Sequence, residues 1–316
     1  MYINCHTHFS FKYGTLSPEE LILECIENGI HKIALTDIHS TAAYIEVFRF
    51  LKNEYAHYPL KVIPGIEFRK QEQLIYIGIA RNNQGFEELN AFLSYYNRND
   101  LPLQSRPRFT DNVAVIYLMH TSPENLRTNE FIGIKPEELN RLRYQHHKFQ
   151  KEKLLALAPV TFKNKTGFNM HRLLRAIQQN QLLSRLDKKF QAQPNEFMQP
   201  KEMLQQHYQG FEFMLKQSDK LIEECHFEIQ FGQSKNKRSL LGSAIEDWHY
   251  FESEARKGFK NRYGKQNAVL TERFEREMEI IRQKDFTAYY LITYDMIQFA
   301  ERKGFPHVGR GSGANS

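Results

Sequence analysis

Over its first 160 or so residues the chain alternates short β-branched runs with amphipathic helical stretches, and this alternation restricts the fold more than any other feature. Such a pattern calls for parallel strands joined by crossover helices. Tyr2 to Cys5 reads as the first strand. Ser17-Pro18-Glu19-Glu20 then supplies an N-cap, a proline at the first helical position and a capping-box glutamate, and Gly29 ends that helix. Strands follow at Lys32 to Thr36, Lys61 to Ile66, Leu74 to Ala80, Val113 to Leu118 and Leu154 to Leu157, with a helix over about Ala42 to Glu54. A βα barrel and a doubly wound sheet both fit. Tyr95 to Asn112, rich in Asn, Arg and Pro, reads as an exposed loop.

Beyond about residue 168 the strand signal fades. Helical periodicity appears at His171 to Asn180, Lys201 to Tyr208, Phe211 to Glu224, Trp248 to Tyr263, Leu270 to Arg282 and Thr287 to Lys303. Charge follows the same division. Residues 1 to 140 carry a net −4 and residues 141 to 316 a net +10, so a polyanion would meet the second part first. A solvated helical surface has the same composition. No apolar run approaches the ~20 residues of a membrane-spanning helix, and Met1 to Ser10 lacks the pattern of a secretory signal, so the expected location is the cytoplasm and no membrane partner is expected. Cys5, Cys25 and Cys225 are odd in number and widely spaced, which predicts reduced, buried thiols.

The residue types that could carry chemistry gather at predicted strand ends. His6 and His8 follow the first strand, and on an extended chain residues two apart point to the same side, where both imidazoles can meet one metal ion. Asp37 and Glu67 end two later strands and could converge with them, giving a mixed set suited to zinc, manganese or iron and to water activation. Each residue also has an ordinary reading: surface histidines, a helix cap and a solvated strand-end charge. At the far end, Gly309-Arg310-Gly311-Ser312 could cradle a nucleotide phosphate, although on spacing alone a solvated tail is the commoner case.

Cys5-His6-Thr7-His8 with Gly14-Thr15-Leu16-Ser17 resembles the opening motif of a polymerase-and-histidinol-phosphatase (PHP) domain. Ala34-Leu35-Thr36-Asp37 and Pro64-Gly65-Ile66-Glu67 resemble its second and third motifs. Arg262-Tyr263-Gly264, Glu272 to Ile281, Phe286 to Ala300 and Val308-Gly309-Arg310-Gly311-Ser312 resemble the connection into the thumb and the first strip of the palm of bacterial DNA polymerase III α subunits, the C-family polymerases. The resemblance covers nearly the whole chain. It implies an α/β fold, a distorted barrel of seven βα units, followed by a mainly helical segment. The implied domains are a PHP domain over 1–230, connecting and thumb or palm helices over 231–284, and the start of a palm over 285–316.

The resemblance further implies DNA and deoxynucleoside triphosphates as substrates of the complete enzyme, with Mg2+ as its cofactor. A separate proofreading exonuclease subunit and a sliding clamp are the implied protein partners. The palm aspartates of the family lie downstream of the Gly-Arg-Gly-Ser loop. The chain therefore reads as part of a longer polymerase, with no catalytic residue of its own and Gly309, Arg310, Gly311 and Ser312 as nucleotide-binding residues.

The PHP motifs depart from the family pattern. Tyr13 stands where an aspartate usually precedes the motif glycine, and Ile38 follows Asp37 where the family has histidine, leaving His39 one position late. His6, His8 and Glu67 remain as expected ligands, with Asp37 behind them, for Zn2+ or Mn2+. Three ligands can hold one zinc ion but cannot bridge a multi-metal centre. Weak or no metal binding, and a scaffold role, is the expectation; a metal-dependent PHP phosphoesterase or 3′-to-5′ exonuclease is the alternative. A repair-type, error-prone paralogue of the polymerase is a third reading. The apolar strip from Tyr289 to Phe299 should be buried in a complete enzyme, and self-association or disorder is expected where it is left uncovered.

Overall fold

In a computed structural model, which describes residues 1–145, 149–230, 232, 236, 238–265 and 267–311, the chain divides into two compact units, Met1–Ile229 and Gln230–Ser316. The first unit is built on a curled sheet in the order β7-β6-β5-β4-β3-β2-β1-β8. Its strands are β1 (Tyr2–Cys5), β2 (Lys32–Leu35), β3 (Lys61–Lys70), β4 (Gln73–Ala80), β5 (Val113–Leu118), β6 (Glu130–Ile134), β7 (Leu154–Ala156) and β8 (Pro159–Val160). β8, β1, β2 and the first half of β3 run parallel, with Leu35 opposite Pro64.

β3 then outruns β2 and folds back as a hairpin with β4. Gln71 and Glu72, both at positive φ, form the two-residue turn, the geometry that matches the twist of paired strands. β4 and β5 are also antiparallel, and parallel pairing resumes through β6 and β7. The sheet is thus mixed where the sequence pattern calls for crossovers throughout, because the residues linking β3 to β4 are too few to hold a helix.

The helices of this unit begin as the sequence predicts. α1 (Pro18–Glu27) starts with a complete Ser17–Glu20 capping box and ends at Gly29, whose φ of +63° turns the chain. α2 (Ala42–Asn53) joins α1 in covering one sheet face, where Leu21, Ile22, Cys25, Tyr44 and Val47 are buried with Cys5, Ile33 and Leu35. The other face collects Ile3, Ala34, Ile63, Ile77, Ile79 and Ile116 against Leu221 and Ile222. Those two belong to α7 (Glu212–Glu223), which follows α3 (Asn83–Arg98), α4 (Leu139–Gln145), α5 (Lys165–Gln178) and α6 (Lys201–His207). α7 also pairs its Asp219 with Lys32 at the start of β2, at 3.0 Å, so it lies toward the N-terminal ends of the strands. Their C-terminal ends are left for polar residues.

One expectation needs correcting. α3 extends to Arg98 into the segment expected to be a loop, because Phe86, Leu89 and Leu93 recur at helical spacing toward the core. β6 and β8 are too short and too isolated to show an alternating pattern in sequence.

In the second unit, α8 (Ala244–Tyr263), α9 (Ala268–Gln283) and α10 (Thr287–Arg302) are all helical. Phe259 stacks on Phe274 at 4.5 Å, and Met278 and Ile281 are buried, the α9 face expected from its periodicity. α10 buries Ala288 and Leu291 but exposes Tyr289, Met296 and Phe299. No described helix is long and apolar enough to cross a membrane.

Candidate functional site

The polar pit at the C-terminal ends of the strands is assembled by three chain segments. β1 delivers Asn4 and, just past its end, His6; the turn after β2 delivers Asp37; the projecting half of β3 delivers Glu67. A bridge between Ile38 and Glu67 holds the second segment against the third. Gly14 permits the closure, since a Cβ there would stand 2.0 Å from the carbonyl oxygen of Thr7.

Glu67 is almost fully buried, and its carboxylate is taken up from three sides. Its Oε2 accepts from Asn4 Nδ2 at 2.9 Å and lies 2.9 Å from His6 Nε2. Its Oε1 accepts from Arg69 Nε at 2.5 Å. Burial alone would raise the pKa of this carboxyl, but Arg69 first and His6 second outweigh burial and hold it well below the ordinary carboxylate range. The guanidinium of Arg69 lies 4.0 Å from the centre of the Tyr13 ring.

His6 is fixed at its other nitrogen. Thr161 donates its hydroxyl hydrogen to Glu196 at 2.7 Å, so its oxygen accepts from His6 Nδ1 at 3.1 Å. The other ring nitrogen, Nε2, is packed against Glu67 Oε2 and is the atom a metal ion would need. A metal ion there would have to displace that contact.

Asp37 serves a different purpose. It accepts from the Thr7 backbone at 2.6 Å, the Thr7 hydroxyl at 2.8 Å and the Ser10 hydroxyl at 2.6 Å, which locks the loop after β1. Burial raises its pKa, and these donors oppose the rise. Tyr13, its ring edge-on to His171 at 4.7 Å, forms the wall of the pit. His171 Nδ1 donates to the Tyr13 carbonyl at 2.7 Å and its Nε2 accepts from the Ala192 backbone at 2.8 Å, the pattern of a neutral ring. Burial pushes its pKa down to about 4.

Of the residues expected to share a metal, the structure brings together His6 and Glu67, with Asp37 on the adjoining loop, and leaves His8 apart. β1 ends at Cys5 and the chain turns, so the strand alternation that would pair His8 with His6 no longer applies; His8 is exposed beside Phe9. His39, at a φ of +50°, accepts from the Arg69 backbone at 2.8 Å. Among the described residues no three His, Cys, Asp or Glu side chains converge as metal ligands. The donor set does not suit a divalent ion: Glu67 already has three partners, the Nε2 of His6 is packed against it, and a fixed guanidinium repels a second cation.

Arg69, Asn4, Thr161, Glu196 and His171 are not among the candidates that motif spacing provides. Arg69 was accessible in principle, because it follows Glu67 by two residues on one strand and so shares its face. Gly309, Arg310 and Gly311 are exposed beyond α10, whereas Ser312 lies outside the described residues. The run Ser234-Lys235-Asn236-Lys237-Arg238 is a further basic candidate for a polyanion; Lys235 and Lys237 lie outside the described residues, and Arg238 is exposed. The three cysteines are free and buried.

Residues 3–237 match the family described as the PHP domain. The chain belongs to the PHP domain family. Directly after this PHP region, residues 249–316 match the family described as the bacterial DNA polymerase III alpha NTPase domain. An error-prone DNA polymerase of Hahella chejuensis is 22% identical over 99% of this chain and 33% of its own length. The DNA polymerase III subunit alpha of Bacillus subtilis is 21% identical over 100% of this chain and 31% of its own. That of Ureaplasma parvum is 24% identical over 99% and 30%. The chain spans about a third of the length of these relatives.

Proposed function

We propose that this chain forms the N-terminal part of a bacterial DNA polymerase III α-type enzyme, replicative or error-prone, and that its PHP unit is a scaffold rather than a hydrolase. The observation that carries the reading is the succession of a PHP region and the start of a polymerase III α region in one chain. The scaffold role rests on the pit, where Glu67 is already engaged by Arg69, Asn4 and His6. DNA and deoxynucleoside triphosphates are the substrates of the complete enzyme, Mg2+ is its cofactor, and the work is done in the cytoplasm. Gly309, Arg310, Gly311 and Ser312 are the nucleotide-binding residues, and a proofreading exonuclease subunit and a sliding clamp are the protein partners.

Two assays test this. Binding of a fluorescent primer–template should weaken steeply with salt, because the net +10 of residues 141 to 316 acts through phosphate contacts; affinity indifferent to salt would contradict it. Incubation with single-stranded DNA or a simple phosphomonoester and Mn2+ should release no product. Turnover abolished by His6→Ala would favour the hydrolase instead.

A further inference from the structure

The pit contains a cation that belongs to the chain. Arg69 is fixed from three directions: its Nε donates to Glu67 Oε1, its guanidinium lies over the Tyr13 ring, and its backbone N–H donates to His39 Nε2 at 2.8 Å. Its side chain is 12% exposed and that of Glu67 1%, so the pair is shielded from water. Tyr13 is held in turn, with His171 at its edge and the Arg175 guanidinium 5.5 Å from the ring centre. Arg175 is anchored by Glu72 at 2.6 Å and the Phe190 carbonyl at 2.8 Å, which leaves Arg69 as the cation engaged with Glu67 Oε1. A guanidinium keeps its charge throughout the accessible pH range and offers directed N–H donors to a carboxylate.

Asp37 and Glu196 are also buried in this pit, each hydrogen-bonded to hydroxyls rather than to a cation. We propose that the Arg69 guanidinium is the resident cation of the PHP pit, doing for the Glu67 carboxylate what a divalent metal ion would do and closing the pit to metal. The inference rests on the scaffold reading and adds a cause to it. The ring at position 13, where the resemblance implies an aspartate, is the surface on which that guanidinium lies.

The test compares the whole chain with Arg69→Ala and Arg69→Met, measuring thermal unfolding in EDTA and in excess Zn2+ or Mn2+, together with retained metal by elemental mass spectrometry. The unsubstituted chain should show no metal-dependent shift and no retained stoichiometric metal. Arg69→Ala should unfold roughly 6 to 12 °C lower in EDTA and recover part of that loss as metal rises, the shift growing with the logarithm of its concentration. The recovery should vanish when His6→Ala is added. Arg69→Met, whose side chain fills the same space without charge, should be destabilised but unresponsive to metal.

If the unsubstituted chain retains metal that His6→Ala releases, the inference is overturned. Mn2+-dependent hydrolysis by that chain would overturn the scaffold reading as well. An inert chain whose Arg69→Ala variant folds and ignores metal overturns the inference alone. Should Arg69→Ala fail to fold at any metal concentration, Glu67→Gln combined with Arg69→Met decides: a double variant no more stable than Arg69→Met alone would show that the two charges do not depend on one another, and the inference would fall.

Discussion

Two arginine–glutamate contacts in this molecule look alike on paper and differ in what they can do. In the second unit Arg256 of α8 reaches Glu275 of α9 at 2.7 Å, with side chains 48% and 50% exposed. In the first, Arg69 reaches Glu67 at 2.5 Å, with 12% and 1% exposed. Water and salt screen the first pair and make it nearly dispensable. The second has no solvent to fall back on, so each partner is bound to the other's presence. Burial, rather than the distance between charges, decides which pair has structural consequences, and the buried pair lies in the pit where catalysis would otherwise be sought.

The comparison can be broken most directly at Arg69. Arg69→Met should lower the unfolding free energy by about 3–5 kcal/mol, because it strands the Glu67 carboxylate; adding Glu67→Gln should restore most of it. Urea unfolding followed through the buried tyrosines measures both, and a double variant as weak as the single one would refute the dependence.

Acid sharpens the contrast next. His171 is buried neutral, so an unfolded chain binds a proton there at about pH 6.5 that the folded chain accepts only near pH 4. The unfolded state holds more protons between those limits, and stability should fall by about 3 kcal/mol as pH drops through them. His171→Gln keeps a donor and an acceptor but cannot titrate, so its unfolding curves should lose that slope.

Gly14→Ala should cost about 2–3 kcal/mol, since the added Cβ meets the Thr7 carbonyl that shapes the His6 loop; thermal unfolding would read it. Least of all, Arg256→Ala should change stability by under about 1 kcal/mol, and by less still in high salt. A loss comparable to that of Arg69→Met would show that exposure is a poor guide here.

Much of this was legible in the sequence because it depends on neighbours along the chain. The Ser17–Glu20 box, the Gly29 stop and the α9 stripe of Phe274, Met278 and Ile281 are local patterns, and the structure has each of them. So are the strands carrying His6 and Glu67. His8 was misplaced because period-two alternation holds only while a strand continues, and β1 ends three residues earlier. The antiparallel hairpin of β3 and β4 could have been suspected from the few residues between two apolar runs.

The sequence by itself determined the α/β order of the first unit, the helical character of the second and the residues that stand at the strand ends, since hydrophobic periodicity and capping act over a few positions. Only the tertiary structure decided what those residues do. Asn4, Glu67, Thr161 and Glu196 are distant in sequence and meet because a curled sheet brings separate strand ends together. Which of Asp37 and Glu67 locks a loop and which faces a cation was fixed by that meeting: a carboxylate's role is set by the donors that reach it once water is gone.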